Sequence, residues 1–226
     1  MEKSLVDQYR AKFEELKKQV EFMRSLLRES GLLDSAIDTS KIDELRDKLL
    51  TAFDKEKIAK EHSGPNACHC CHYESWANKS PLKIYDIAYL LVKNPDFRLP
   101  EPDWDSLTED NPKQVWVKDI GGEGYADMKK CLFLGPQGCL YGENRPAVCL
   151  SYLCHGAVRA VAVDSKKIVP EGYYNYSPLG KAVFKAIGLP PDFQSLGSVV
   201  SGWFYKVLLP KTGKSEQEIT SVFNQA

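Results

Sequence analysis

Between residues 5 and 27 the apolar residues Leu5, Tyr9, Phe13, Leu16, Val20, Met23 and Leu27 recur at steps of three and four. That spacing predicts one long helix with a single apolar stripe of the coiled-coil kind. Gly31 is placed to stop it. Ser40 then caps a second helix, with Asp43 and Glu44 in the first turn, where the helix dipole favours acidic groups. Its stripe is Ile42, Leu45, Leu49, Phe53 and Ile58. Two amphipathic helices on a short connection predict an antiparallel helical hairpin over residues 1–62. Such a hairpin either packs on its own domain or acts as a self-association or partner-docking arm.

The helical pattern breaks at Ser63-Gly64-Pro65-Asn66. Ser80-Pro81 reads as a cap followed by proline at the first helical position, with Ile84, Ile87, Ala88 and Leu91 as the stripe of a helix ending near Lys93. Residues 94–112 carry Pro95, Pro100, Pro102 and Pro112 and have no period, so an exposed, irregular loop is expected. Residues 115–117 and 131–134 read as short strands. Gly121-Gly122-Glu123-Gly124 lies between them, and Gly135-Pro136-Gln137-Gly138 turns after the second. The first glycine run lacks both the Lys-Ser/Thr of a phosphate loop and dinucleotide spacing, so it reads as a plain turn. Helix is expected past Cys149 to about residue 162, with residues 158–163 ambiguous with a strand. Ser177-Pro178 opens another helix, backed by Leu179, Val183, Phe184 and Ile187. A final stripe uses Leu196, Val199, Val200, Trp203, Phe204, Val207 and Leu208. The expected fold is mainly α with a small β hairpin: an N-terminal helical hairpin, 1–62, and a metal-stapled cysteine-cluster domain, 63–226.

Composition narrows the function. The chain has 226 residues, enough for one sizeable domain or a compact domain with an appendage. With 30 basic and 31 acidic residues and a net charge of -1, no general polyanion-binding surface is implied, and no nucleic-acid partner is expected. No window approaches the roughly 18 apolar residues of a membrane span. The N-terminus lacks the apolar run and small-residue cleavage site of a secretory signal. A cytoplasmic protein without a membrane partner is the expectation.

The cysteines carry the chemistry. All seven lie in two blocks: Cys68-His69-Cys70-Cys71-His72, and a second block holding Cys131, Cys139, Cys149 and Cys154. Three of the four histidines adjoin a cysteine, and His62 lies six residues before Cys68. In a reducing compartment clustered cysteines mean metal or catalysis, and an odd number sits badly with complete disulfide pairing. Thiolates are soft ligands suited to zinc or iron–sulfur clusters, which need about four converging donors. Two separated blocks can close such a site and staple the fold, an effect on the order of 10 kcal/mol. Adjacent Cys70 and Cys71 cannot easily address one ion, so one packs while the other ligates, or they serve different metals. Cys131 and Cys139 flank a turn and can face one centre. Arg145-Pro146 fixes the chain direction before Cys149. The Arg145 guanidinium either offsets thiolate charge or makes a surface ion pair.

Three features carry a family resemblance. They are the Cys70-Cys71 pair shortly before Ser80-Pro81-Leu82-Lys83-Ile84-Tyr85-Asp86-Ile87; Cys131-x-Phe133-Leu134 with Gly138-Cys139-x-Tyr141; and Glu143-Asn144-Arg145-Pro146-x-x-Cys149. Together they make residues 68–154 resemble the zinc- or iron-chelating cysteine-cluster family, the CxxCxxCC or YkgJ-like group that includes flagellin lysine N-methylases. Members usually carry Cys-x-x-Cys-Cys where this chain has Cys68-x-Cys70-Cys71, which leaves open which of these three ligates and whether His69 or His72 substitutes. Cys154 lies outside the family pattern. The resemblance implies metal binding, with Cys68, Cys71, Cys131, Cys139 and Cys149 as the candidate ligands.

Two functions follow. The first is a metal-binding protein holding zinc or an iron–sulfur centre in a structural or redox role, its helical hairpin recruiting a partner. The alternative, implied by the flagellin methylases, is iron–sulfur-assisted methyl transfer from S-adenosylmethionine to a protein lysine, although no glycine-rich cofactor loop leads into a helix. A cysteine nucleophile activated by histidine is a further enzymatic option. Zinc-supported nucleic-acid binding lacks both basic excess and finger spacing.

Overall fold

The first apolar stripe becomes helix α1, Leu5–Glu29, which buries Tyr9, Phe13, Leu16, Val20, Met23 and Leu27. In a computed structural model, residues 4–55, 82–108, 113–116, 125–128, 131–135, 138–151 and 196–224 are described, and these are mainly helical. Ser4 caps α1, its hydroxyl accepting from the Asp7 N–H. The helix stops at Gly31, whose φ of 67° is left-handed. There the Leu32 N–H reaches the Leu27 carbonyl and the Gly31 N–H the Arg28 carbonyl, the paired bonds of a Schellman ending.

Helix α2, Ser40–Lys55, begins one residue away from the sequence expectation. Thr39, not Ser40, sits at the cap: its carbonyl accepts from Ile42 and Asp43, and its hydroxyl bonds the Asp43 carboxylate at 2.8 Å. Ser40 is instead held by the Asp38 carboxylate. Ile42, Leu45 and Leu49 are buried as the stripe requires. Helix α3, Ile84–Lys93, also starts later than the Ser80-Pro81 signal suggests. Lys83 is its cap, and the Asp86 carboxylate accepts from the Lys83 N–H at 3.0 Å. The loop expected over residues 94–112 contains a short helix α4, Trp104–Thr108. Trp104 meets Phe13 edge-on at 5.6 Å, so an aromatic contact to α1 organises a segment that has no period of its own.

Among the described residues two small antiparallel hairpins stand where a single one was expected. Strand β1, Lys113–Trp116, pairs with β2, Tyr125–Met128, Val115 opposite Ala126. Strand β3, Leu134–Gly135, pairs with β4, Gly138–Cys139, Leu134 opposite Cys139. Helix α5, Ala147–Ser151, follows. The last stripe forms α6, Leu196–Trp203, a π turn over Phe204–Leu208, and α7, Leu209–Thr212. In the π turn the Leu209 N–H reaches the Phe204 carbonyl, and the extra residue rotates Val207 outward to 39% exposure, against its expected place in the core. Helix α8, Glu216–Asn224, is absent from the sequence expectation.

One hydrophobic cluster runs from Tyr9 to Ile219 and takes in α1, α2, α3 and α6. The two arms of the expected N-terminal hairpin pack chiefly on different neighbours: α1 on α3 and α4, α2 on α5 and α6. Arg24 of α1 donates to the carbonyls of Pro95 and Phe97 just beyond α3. The Trp203 indole donates to the Asp38 carbonyl at 3.0 Å, fixing α6 against the α1–α2 connection. No described helix is long and apolar enough to cross a membrane. The expectations for Ile58, residues 63–66, Ser80-Pro81, residues 117–124 and the segment 152–195 lie outside the described residues.

Candidate functional site

The β3–β4 hairpin sets two cysteines on its two arms. The Cys131 carbonyl accepts from the Leu134 N–H at 3.0 Å, a tight turn leading into β3, and Cys139 ends β4 opposite Leu134. The Leu140 N–H to Phe133 carbonyl bond, 2.9 Å, carries the pairing one step further. Tyr141 then turns the chain through Gly142, at a left-handed φ of 54°, into a 3-10 turn over Gly142–Asn144. Pro146 begins the next turn, its carbonyl accepting from Cys149 and Leu150, and this places Cys149 in α5. Cys131, Cys139 and Cys149 are each half-buried.

Tyr141 follows β4 in the core. Its ring lies 4.5 Å from that of Phe133, and the residue is 5% exposed. Burial pushes the phenol well above its ordinary value, and Cys131, Cys139, Cys149 and Asp86 push the same way. Its buried hydroxyl has no hydrogen-bond partner among the described residues. Such an unsatisfied donor normally costs about 1–3 kcal/mol.

Two buried charges hold the segment that bears Cys149. Asp86 of α3 is 2% exposed, and its two carboxylate oxygens accept from the Lys83 and Ala147 N–H groups, the latter at 2.9 Å. One carboxylate thus fixes the starts of both α3 and α5. Burial raises Asp86 from 3.8 to about 6, against the opposing pull of these two N–H groups and of Arg46 and Lys83. Arg46 of α2 is 5% exposed and donates from Nη2 to the carbonyls of Glu143, at 2.7 Å, and Arg145, at 3.1 Å. Its guanidinium lies 5.1 Å from the Tyr89 ring centre. Burial lowers the pKa of Arg46, while Tyr89, Asp86, Asp43 and Asp47 favour its charged form. Next to this pair Asp43 accepts from the Tyr89 hydroxyl at 2.6 Å and from Lys93 at 2.9 Å.

Of the candidate ligands, Cys131, Cys139 and Cys149 are described: Cys131 before β3, Cys139 at the end of β4 and Cys149 in α5. Cys68 and Cys71 lie outside the described residues, as do Cys70, Cys154 and all four histidines. Among the described residues no three His, Cys, Asp or Glu side chains gather closely enough to hold a metal ion. In kind, thiols suit zinc or an iron–sulfur cluster. A further donor would have to come from the first cysteine block. The Arg145 guanidinium donates to the Gly142 carbonyl at 3.0 Å, bracing its own turn.

Arg46 and Asp86 went unrecognised as site residues in the sequence. The signal for Arg46 was its position four residues after Ile42 and three before Leu49, on the buried stripe. For Asp86 it was a carboxylate between Ile84 and Ile87 in an otherwise apolar helix. No family model, curated protein or solved structure matches this chain.

Proposed function

We propose that this chain is a metal-binding protein whose two cysteine blocks hold zinc or an iron–sulfur centre in a structural or redox role. The supporting observation is that one short, braced stretch, the β3–β4 hairpin and α5, carries Cys131, Cys139 and Cys149, each half-buried. The Arg46 and Asp86 bonds to residues 143–147 fit the same reading, since ligand-bearing segments gain from being held rigid before the metal arrives. In this reading Cys131, Cys139 and Cys149 supply three ligands, and Cys68 or Cys71 completes the set. The resemblance of residues 68–154 to the cysteine-cluster family points to the same chemistry.

Substitution tests the ligand set. Cys139→Ser and Cys149→Ser, each purified anaerobically, should lose most of their bound metal and unfold at lower temperature than the parent. Unchanged metal content in both variants would refute the assignment.

A further inference from the structure

Helix α8 carries its own stabilising bonds. Ser215 and Glu218 cap it reciprocally, the Ser215 N–H donating to the Glu218 carboxylate at 2.8 Å and the Glu218 N–H to Ser215 Oγ at 3.2 Å. The Thr220 and Ser221 hydroxyls donate back to the Glu216 and Glu218 carbonyls. These partners all lie in the helix or its cap, so the helix keeps them wherever it sits.

Its hold on the rest of the described fold is slight by comparison. Of its described side chains Ile219 alone is buried, while Val222 is 36% exposed. Phe223 is half-buried and meets Phe22 of α1 edge-on at 6.2 Å. Gln19 of α1 donates to the Phe223 carbonyl at 3.4 Å, a long bond, and also to Glu15 at 3.2 Å. Tyr205 of the π turn bonds the exposed Glu216 carboxylate. The helix before it is anchored differently, since Leu208 and Leu209 are both buried. Between α7 and α8 run Gly213, Lys214 and Ser215, all exposed, with Gly213 at a left-handed φ of 69°.

We propose that α8 is a strap over α1 that swings off as an intact helix about residues 213–215 while the rest of the core stays folded. Opening bares Phe22 and Gln19 on one side of α1. Gln19 marks the seat: it is buried on the side of α1 that carries Leu16, Val20 and Met23. When α8 leaves, water satisfies the Gln19 amide and the Phe223 carbonyl, so opening strands no polar group. An element that buries little apolar surface and is tied at one end opens below the free energy of global unfolding. The strap does not depend on whether the cysteine blocks hold a metal.

Native-state hydrogen exchange on the full chain, read amide by amide by NMR at increasing urea, tests this. The amides of Ile219 to Phe223 should share one opening constant, at least about tenfold larger than those of Val20 to Leu27 in α1. Their urea dependence should be smaller, because opening exposes less surface. A mild core variant separates the strap from the body. Ile42→Val in α2 removes one buried methyl group and should raise the α1 opening constant about 2- to 10-fold. The α8 constant should stay unchanged, because strap opening leaves the Ile42 contacts intact. Equal rises in both helices would overturn the strap by showing that α8 opens only with the whole fold. Constants that fall steadily from Phe223 back to Ile219 would also overturn it, as the mark of a fraying end. So would α8 amides that exchange at the unstructured rate, since the helix would then not be seated on α1.

Discussion

Replacing Arg46 by methionine keeps an unbranched stem over the Tyr89 ring and removes the guanidinium. The loss falls on two backbone carbonyls, those of Glu143 and Arg145, and on the cation that offsets the buried Asp86. A hydrogen bond from a charged donor contributes about 1.5–3 kcal/mol. Part of the loss is recovered because a buried guanidinium is no longer desolvated. A net destabilisation of about 2 kcal/mol is therefore expected, with a pH dependence that identifies its source. Burial raises Asp86 to about 6 from 3.8, so its neutral form is the one favoured in the fold. Its contribution to stability is fully present below about pH 3.8 and is lost as pH rises through about 6. Without Arg46 the raised value climbs further, and each additional unit makes the ionised fold less stable by about 1.4 kcal/mol. Arg46→Met should thus be more destabilising at about pH 8 than at about pH 5, by on the order of 1 kcal/mol. Urea unfolding of parent and variant at the two pH values, followed by far-ultraviolet circular dichroism, checks both figures. A pH-independent difference, or one below about 0.5 kcal/mol, would refute the coupling between Arg46 and Asp86.

Gly31→Ala should destabilise by about 1 kcal/mol, readable as a lower urea midpoint. The left-handed φ of 67° is the cause, since an added Cβ would meet nothing within 4 Å. Asp43→Asn should destabilise by about 1 kcal/mol near neutral pH, a figure reduced for partial solvent exposure. For Asp43, burial works to raise the pKa, but the Tyr89, Lys93 and Thr39 hydrogen bonds outweigh it and hold the carboxyl below 3.8. Its stabilising contribution is therefore present above about pH 3.8 and disappears as pH falls through the lowered value, so parent and Asp43→Asn stabilities should converge in acid. A difference that persists at low pH would contradict this.

Long-range order was legible where a single face of a helix met the core. The seven-position stripe of α1 and the first three positions of the α2 stripe needed only their period, and every one whose side chain is described is buried. Gly31 needed only its conformational freedom. Helix α8 was legible but overlooked: Ser215 and Glu218 form a reciprocal capping box, with Ser215 Oγ accepting from the Glu218 N–H and the Glu218 carboxylate accepting from the Ser215 N–H. Arg46 and Asp86 were harder for a physical reason. In sequence a buried charge looks like a solvated one, and only the carbonyls it meets, 97 and 99 residues away for Arg46, distinguish the two. Strand β2 escaped notice because Tyr125–Met128 includes Asp127 and has no apolar run, and its pairing with β1 sets its conformation. The outward turn of Val207 followed from a π turn that no spacing rule anticipates.

The central claim is the proposal that Cys131, Cys139 and Cys149 join the first cysteine block in holding a metal centre. Metal and acid-labile sulfide content, with a visible spectrum, on anaerobically purified protein tests that claim most directly. The account predicts either about one zinc per chain in a colourless protein, or iron with sulfide and broad absorption near about 400 nm. A protein that carries neither, and whose seven cysteines all react as ordinary thiols, would contradict it.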